Sequence, residues 1–558
     1  MKNKKGFIIF LVIICIAFLL RIALINTPLW YDEACSWFSA KQAFPFGILK
    51  NLLTLDLQHS PFYFFLLNIW MKIFGDSEIS MRILSLIFSL GSIYLIYNFG
   101  KKLVEKKFGI LLALIMAVHP LMVIFSVEVR MYPVVVFLVL ASLNFLIDFN
   151  KSNKTKALAK MTLTNILIPY TFVGGIFYNL TLTFFYTKYL KNNNNRENLR
   201  KYLKLCAIEW LALIPFFALI IYYASQRSIF VISHEIPLRF IQVIDIIRNF
   251  FGADINANPY WPAVDQYQLT FIFALSAIVP CVYFIYGIFK TAKGNDKFVQ
   301  MIFNITMTIF ILFVILAGLK IYVCTNRYIL YLYPLLISLG LLGLYNNLSK
   351  KHFYTFTGLY ISLCLCLTIL FIPKFKLSKT YALKDVMIQA QKLNLTGEDI
   401  VILPFSADAP YYFKSLSTPR VFNGDFHKLV RNPYGKYYDS KDSKIMKSPE
   451  KYKLIFQKIN ENNVFSQSFY EYFGTEVNNS TDTGRYLLLA MYGNDNNGIV
   501  PIEQLRKEVK DEQFVKDNTL DVMFKKYICD IAAMINLNFK FVKSFKKDNY
   551  TYYLYQKI

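Results

Sequence analysis

The stretch GFIIFLVIICIAFLLRIALINTPLWYDEACS (residues 6–36) joins a long apolar run to two adjacent acids, Asp32 and Glu33. Residues 7–25 have the length that an α-helix needs to cross about 30 Å of hydrocarbon. The basic flank KNKK precedes them and no small-residue cleavage site follows, which is typical of a retained membrane helix. The two carboxylates follow where the chain leaves the hydrocarbon, a costly position unless they are hydrated, paired or functional.

Apolar runs of this kind recur along most of the chain. The 558 residues are 55% hydrophobic and 17% aromatic, which is more than soluble domains usually contain. The sequence therefore predicts a polytopic α-helical membrane protein with about 11 transmembrane helices. The expected spans lie near 7–26, 79–99, 109–126, 131–149, 161–174, 176–189, 203–224, 268–289, 299–319, 328–347 and 353–373.

The chain carries a formal net charge of +25, from 61 Lys and Arg against 36 Asp and Glu. Many of the basic residues lie in every second short loop between apolar runs, as the positive-inside rule describes. This pattern places the N-terminus in the cytoplasm and the loop after the first span outside. No basic and aromatic recognition module accompanies the charge, so nucleic acid is not an expected partner.

Two apolar stretches are predicted to be helices that lie in the outer membrane interface, near 60–75 and 237–252. The first is short for a span, and a crossing there would break the alternation of basic loops. From about residue 375 the chain becomes charged and rich in Asn. We therefore expect a transmembrane domain over 1–374 and an extracytoplasmic α/β domain over 375–558, with strands in the stretches 398–406, 485–493 and 539–557.

Four groups of polar residues fall on the predicted outer face. They are Asp32, Glu33, Asp56 and His59 in loop 27–60; Glu128, Arg130 and Tyr132 in SVEVRMYP; Arg227, His234, Glu235, Asp254 and Asp265 in loop 225–267; and Arg327 and Tyr328 in CTNRY. Acids, bases and tyrosines at one depth predict a hydrated cavity that opens to the outer leaflet.

Several of these residues have more than one interpretation. Asp32 is an N-cap for a surface helix, a general base for an acceptor hydroxyl, or both. Glu128 and Tyr132 share a face if their segment is helical. Arg130 pairs with Glu128 or reaches the cavity, and His59 is a satisfied loop residue or a polar contact in the site.

The arginines near the membrane surface raise a similar choice. Arg327 and Arg82 are snorkelling anchors, or they bind a phosphate through the fork geometry of the guanidinium. A metal site formed by Asp32, His59 and His234 is conceivable, but these residues are too scattered to make a recognisable ligand motif. A divalent metal is therefore left open.

Four motifs occur together: WYDEA (30–34), HSPFY (59–63) followed by FG (74–75) and Arg82, VEVRMY (127–132), and NRY with a later YP (326–334). Over about residues 7–373 the chain resembles the family 39 glycosyltransferases. These are membrane enzymes of the GT-C fold, related to protein O-mannosyltransferases and to the aminoarabinose transferase that modifies lipid A. The sequence has HSP where many relatives have HPP.

The resemblance implies a sugar donor on polyprenyl phosphate, used on the extracytoplasmic side, and transfer to a hydroxyl with inversion. It implies that Asp32 is catalytic, that Glu128 lies in the same cavity and that Arg327 meets the lipid phosphate. The complete predicted site adds Glu33, His59, Arg130 and Tyr132 as supporting residues, and Tyr328 and Arg82 for the phosphate. Because the leaving group is a monophosphate, arginines could stabilise it without an obligatory metal or other cofactor.

The acceptor stays open between lipid-linked, polymeric and protein hydroxyls. The Lys-, Asn- and Ile-rich composition favours a prokaryotic plasma membrane enzyme that acts on the cell envelope. A lipid or glycolipid flippase is the main alternative, although the chain has no matching halves of the kind that transporters show. A non-catalytic membrane protein whose outer domain binds glycan is the second alternative.

Overall fold

The computed structural model describes residues 2–29, 31–54, 59–225, 240–252, 271–319, 321–322 and 324–378, together with residues 388 and 392–393 and five strands beyond them. Several predicted site positions lie outside the described residues. They are Asp56, Arg227, His234, Glu235, Asp254 and Asp265.

The described part of the membrane domain is helical. Its helices are α1 (Lys2–Ile25), α2 (Tyr31–Ala40), α3 (Phe46–Thr54), α4 (Pro61–Phe74), α5 (Glu78–Leu103), α6 (Lys106–Val118), α7 (Pro120–Phe125), α8 (Tyr132–Ser152), α9 (Thr155–Thr171), α10 (Ile176–Asn192), α11 (Arg196–Ala212), α12 (Ile214–Ser225), α13 (Phe240–Phe251), α14 (Phe271–Ala292), α15 (Lys297–Gly318), α16 (Tyr333–Asn347) and α17 (Lys350–Ser378). Short 3₁₀ turns precede α10 and α16, at Val173–Gly175 and Leu330–Leu332.

Helices long and apolar enough to cross a membrane confirm a multi-pass membrane protein. Among the described residues five helices meet this criterion: α1, α5, α8, α15 and α17. The consecutive helices α11 and α12, bent by 43° at their junction, would add a sixth span. The larger total of about 11 spans stays a prediction.

Some predicted spans are interrupted. The stretch 109–126 was expected to be one span, but the helix breaks between α6 and α7 because Pro120 offers no N–H and disfavours helical backbone in the residue before it. The expectation of a helix from residue 328 was also wrong, since α16 begins at Tyr333 after a 3₁₀ turn. The predicted division of 161–189 between two spans coincides with the end of α9 and the start of α10, while a membrane crossing by each of these helices stays a prediction.

The helices pack in a continuous buried core. Helix α5 packs against α6 and α8, α8 packs against α9, and α1 lies on α5 and α6. Helices α14 and α16 cross closely because glycines face each other: a Cβ atom on Gly343 would collide with the carbonyl of Gly287. The neighbouring Gly340 also contacts α14 closely.

Both stretches expected to lie in the interface contain helices, α4 and α13. Helix α4 is two-sided. It buries Tyr63, Phe64 and Leu67 and exposes Ile69 and Ile73. An exposed apolar face suits contact with lipid, while the depth of these helices in the interface stays a prediction.

The C-terminal strands form one mixed sheet. They are β1 (Ile400–Leu403), β2 (Arg420–Asn423), β3 (Tyr486–Tyr492), β4 (Phe539–Lys547) and β5 (Tyr550–Lys557), in the order β2-β1-β3-β5-β4. Strand β1 is parallel to β2 and β3, whereas β5 is antiparallel to β3 and β4. The predicted strands are confirmed. The domain boundary near 375 and the extracytoplasmic side of the sheet stay predictions.

Candidate active site

The exit of the chain from α1 is held by Arg82, which lies near the start of α5. Its guanidinium donates hydrogen bonds to the carbonyls of Ile25 (3.1 Å), Thr27 and Pro28 (2.9 Å). It also pairs with Glu33, from Nε to Oε1 at 3.1 Å and from Nη2 to Oε2 at 2.8 Å. This fork–fork geometry is the strongest form of arginine–carboxylate pairing.

Glu33 connects this arginine to a third segment. Both side chains of the Glu33–Arg82 pair are 0% exposed, and Oε1 of Glu33 also accepts the backbone N–H of Val129 at 3.0 Å. The pair therefore ties α2 and α5 to the turn before α8. Glu33 was predicted to support the site and Arg82 to bind a lipid phosphate. In this conformation the Arg82 guanidinium bonds to protein acceptors, and its phosphate role stays a prediction.

Asp32 lies in the first turn of α2, next to the buried Glu33. Its Oδ2 accepts a hydrogen bond from Nη1 of Arg327 at 2.6 Å, and the two side chains are 21% and 18% exposed. The fold thus joins the predicted base and the predicted phosphate ligand, which are 295 residues apart in sequence. A carboxylate in the first turn also meets the favourable end of the helix dipole, so the structural and catalytic interpretations of Asp32 remain compatible.

The charges around Asp32 keep it ionised. Burial raises the pKa of its carboxyl, but the positive charges of Arg327 and Arg130 outweigh burial and lower the pKa from the ordinary value of 3.8. At neutral pH Asp32 is therefore an anion.

Arg327 is the cation that pairs with Asp32, and its neighbours favour the charged form of its guanidinium. Burial lowers the pKa of its guanidinium, but Tyr132, Tyr328, Asp32 and Glu128 together raise it above its ordinary value. The guanidinium carbon lies 5.3 Å from the centroid of the Tyr328 ring, a cation–π distance. The role of Arg327 and Tyr328 in binding the lipid phosphate stays a prediction.

Arg130 holds α2 from the other side. Its Nη1 donates to the Asp32 carbonyl at 3.2 Å and to Oγ of Ser36 at 3.1 Å. Its Nη2 lies 2.7 Å from Nε2 of His59, whose own carbonyl accepts the Tyr223 hydroxyl at 2.8 Å. A neutral His59 with its proton on Nδ1 accepts the arginine bond, and a protonated ring cannot.

The turn at residues 126–131 corrects one prediction. Glu128 and Tyr132 would share a face only if their segment were helical, but residues 126–131 form turns and bends and α8 begins only at Tyr132. Tertiary partners occupy backbone groups of the turn: the Glu128 carbonyl, for example, accepts Oγ of Ser85 at 2.5 Å. Glu128 is buried. The buried Tyr132 hydroxyl has no hydrogen-bond partner within the described part of the chain.

Sequence reasoning missed the buried Arg21 within the first apolar run. Its guanidinium donates to Oγ of Ser89 (3.0 Å) and to the carbonyls of Ala117 (2.7 Å) and Met116 (3.1 Å). Pro120 cannot bond the Met116 carbonyl, so Arg21 satisfies the helix break that precedes the turn at 126–131. An arginine inside an apolar run was the available signal, because such a residue is costly unless its donors are satisfied.

A second buried network, also missed, surrounds Glu209 of α11. Its carboxylate accepts the side-chain amides of Asn165 (3.0 Å) and Asn179 (2.8 Å). Oδ1 of Asn165 in turn accepts Oγ of Ser142, which accepts the Tyr178 hydroxyl. The network joins α8, α9, α10 and α11.

The described residues contain no group of three His, Cys, Asp or Glu side chains that could hold a metal ion, and the possible divalent metal stays a prediction. Asp32 and His59 each contact an arginine, and guanidinium charges oppose a neighbouring cation. The third candidate, His234, lies outside the described residues.

Comparison with known proteins agrees with this geometry. Residues 58–222 match the family described as dolichyl-phosphate-mannose-protein mannosyltransferase. The fold is similar to that of ArnT from Cupriavidus metallidurans in the apo state, with a TM-score of 0.53 and 11% identity over 99% of this chain and 98% of that chain. The match over residues 58–222 and the similar fold agree with the resemblance to GT-C membrane glycosyltransferases that the sequence motifs indicate.

Two further structures support this relationship at the level of the fold. ArnT from the same organism bound to undecaprenyl phosphate has a TM-score of 0.51 and 12% identity, covering 99% of this chain and 98% of that chain. The archaeal oligosaccharyltransferase AglB from Archaeoglobus fulgidus, in complex with an inhibitory peptide and a dolichol-phosphate, has a TM-score of 0.51 and 13% identity. That match covers 88% of this chain and 69% of AglB. No curated protein sequence matches the chain.

Proposed function

We propose that this protein transfers a sugar from a polyprenyl-phosphate donor to a hydroxyl of a cell-envelope acceptor, with inversion at the anomeric carbon. The observation that carries the proposal is the contact between Asp32 and Arg327, a base and a phosphate-binding group that are both partly exposed. Two of the similar structures contain polyprenyl phosphates, undecaprenyl phosphate in ArnT and a dolichol-phosphate in AglB, which supports this class of donor.

The chemistry follows from these two side chains. The acceptor oxygen attacks the anomeric carbon while Asp32 removes its proton. The bond between the anomeric carbon and the phosphate oxygen breaks, and its electron pair leaves with the lipid phosphate. Arg327 stabilises the charge on that phosphate. Inversion follows if the acceptor and the phosphate lie on opposite faces of the sugar.

The remaining residues keep the base in place. Arg82 and Glu33 fix the start of α2 through buried bonds, and Arg130 binds the Asp32 carbonyl. A base held within a fraction of an ångström of its productive position gains most from proximity. In this proposal these groups act by positioning Asp32, and Arg327 meets the donor.

The setting of the reaction is part of the proposal. We place the N-terminus in the cytoplasm, and the site and the C-terminal sheet on the extracytoplasmic side of the plasma membrane, because basic residues occupy every second loop. A long prenyl tail can then stay in the outer leaflet beside the apolar face of α4 while its phosphate reaches Arg327. In this proposal the outer domain positions the acceptor.

The donor is tested with purified protein in detergent and a panel of radiolabelled polyprenyl-phosphate sugars. We expect the wild type to consume at least one donor when cell-envelope extracts supply the acceptor, and Asp32→Asn to be nearly silent. Asp148→Asn is the matched control, because it makes the same change in an exposed ion pair with Lys102.

Two results would contradict the proposal. One is that no donor in the panel loses label with any acceptor. The other is that Asp32→Asn consumes donor as fast as Asp148→Asn. Movement of intact labelled lipid between the leaflets of proteoliposomes, without loss of sugar, would instead favour the flippase interpretation.

A further inference from the structure

The three arginines of the site differ in their hydrogen-bond partners and in their exposure. Arg82 and Arg130 are buried and bond to backbone carbonyls as well as to side chains. Arg327 is partly exposed, and its Nη1 hydrogen bond goes to Asp32. A ligand that enters from solvent or from the lipid can therefore reach Arg327, whereas the other two guanidinium groups are enclosed.

The ion pair poses a conflict for the proposed reaction. Asp32 must take a proton from a hydroxyl, but a carboxylate hydrogen-bonded to a guanidinium at 2.6 Å is a weakened base. The phosphodiester of the donor competes for the same guanidinium, because its two free oxygens match the fork of the arginine and share a negative charge, as the oxygens of a carboxylate do. The phosphate monoester that transfer releases carries more charge and competes more strongly.

We propose that the donor phosphate takes Arg327 away from Asp32, so that binding of the donor itself frees the catalytic base. This inference rests on the proposed function. The same arginine suppresses the base in the empty site and binds the leaving group in the loaded site. Asp32 therefore becomes an effective base only when a sugar phosphate is present.

The surroundings allow Arg327 to move while Asp32 stays. Asp32 belongs to α2, whose start is held by the Glu33–Arg82 pair and by the bond from Arg130 to the Asp32 carbonyl. Arg327 lies instead in the turn that precedes α16 and packs over the Tyr328 ring. A change of side-chain rotamer is enough to redirect its guanidinium, and such changes are fast.

A double-mutant cycle on binding of undecaprenyl phosphate separates this exchange from simple repulsion. Affinity is measured in detergent for the wild type, Asp32→Asn, Arg327→Gln and the double variant. Since Asp32 competes for Arg327, Asp32→Asn should tighten binding about tenfold when Arg327 is present and less than about twofold in the Arg327→Gln background. Near-isosteric changes and a thermal melt of each variant control for folding.

The outcomes distinguish the two proposals. Equal tightening in both backgrounds would mean that Asp32 merely repels the phosphate, and it would overturn the exchange while the donor class stands. No tightening in either background would also overturn it. Failure of the wild type to bind undecaprenyl phosphate would overturn the donor class itself, and the exchange with it.

A kinetic measurement gives an independent test once a donor is known. The acid limb of the pH profile of kcat/KM reports the pKa of Asp32 in the free enzyme. The acid limb of the pH profile of kcat reports the pKa of Asp32 in the complex with donor. With Arg327 drawn to the phosphate, the limb of kcat should lie at a higher pH than the limb of kcat/KM. In Arg327→Gln the two limbs should coincide. A wild type whose limbs already coincide would overturn the exchange.

Discussion

The change Glu33→Gln tests the clamp that places Asp32. The Glu33 carboxylate accepts Nε of Arg82 at 3.1 Å, Nη2 of Arg82 at 2.8 Å and the N–H of Val129 at 3.0 Å. Glutamine has nearly the same shape, but its amide NH2 group is a donor. It would face the N–H groups of Arg82 or Val129, which are donors too, and no hydrogen bond can form between them. It also leaves the fully buried Arg82 without its carboxylate partner.

The expected cost is large for a single isosteric change. Removing one partner of a buried ion pair costs about 3–5 kcal/mol, and the oxygen that glutamine retains places the estimate near 3 kcal/mol. We expect the apparent melting temperature in detergent to fall by roughly 2–4 °C. All variants are compared at one scan rate, because unfolding of large membrane proteins is often irreversible.

Asp148→Asn again provides the matched control. It breaks the ion pair with Lys102 at 2.8 Å, whose side chains are 44% and 26% exposed. Exposed pairs contribute less than about 1 kcal/mol, so the melting temperature should change little. If Glu33→Gln has the same melting temperature as Asp148→Asn and the wild type, the Glu33–Arg82 pair does not hold α2 in place.

Three further predictions concern other parts of the fold. Arg21→Met should lower the melting temperature through unsatisfied carbonyls at the break after α6, by an amount equivalent to about 1–3 kcal/mol; an unchanged melt would show that these carbonyls find other partners. Gly343→Val should force α14 and α16 apart where Gly287 faces it, at a cost of about 1–3 kcal/mol, and expression of folded protein equal to the wild type would contradict it. Because Arg327 and other charges lower the pKa of Asp32 below 3.8, its ionised form stabilises the fold above that pH. The stability advantage over Asp32→Asn should thus be present at pH 7 and lost below 3.8, and thermal melts of both proteins across pH check this.

The sequence was sufficient for features that depend on local pattern. Apolar runs predict helices because a spanning segment must satisfy its own backbone, and α1, α5, α8 and α15 follow the predicted limits closely. Most of the β-strands near the C-terminus were likewise predictable from short apolar stretches. The break at Pro120 was foreseeable too, since proline interrupts a helix. The apolar length of 109–126, however, predicts a single span.

The partners of the charged side chains were not predictable in the same way. Asp32 and Glu33 are adjacent in sequence, yet Asp32 forms a partly exposed ion pair with Arg327, whereas Glu33 forms a fully buried pair with Arg82. This difference depends on helix orientation, which the periodicity of so short a segment does not set. Arg21 itself was a signal, but three of its partners are carbonyls, which every residue has and no sequence pattern marks.

The most direct test of the central claim separates binding from turnover in Asp32→Asn. Transfer of sugar to an acceptor and binding of undecaprenyl phosphate are measured on the same preparations of the wild type and the variant. We expect the variant to bind the lipid phosphate at least as tightly as the wild type, while transfer falls by about 10²-fold or more for loss of a general base. A variant that transfers sugar at the wild-type rate would contradict the assignment of Asp32 as the base.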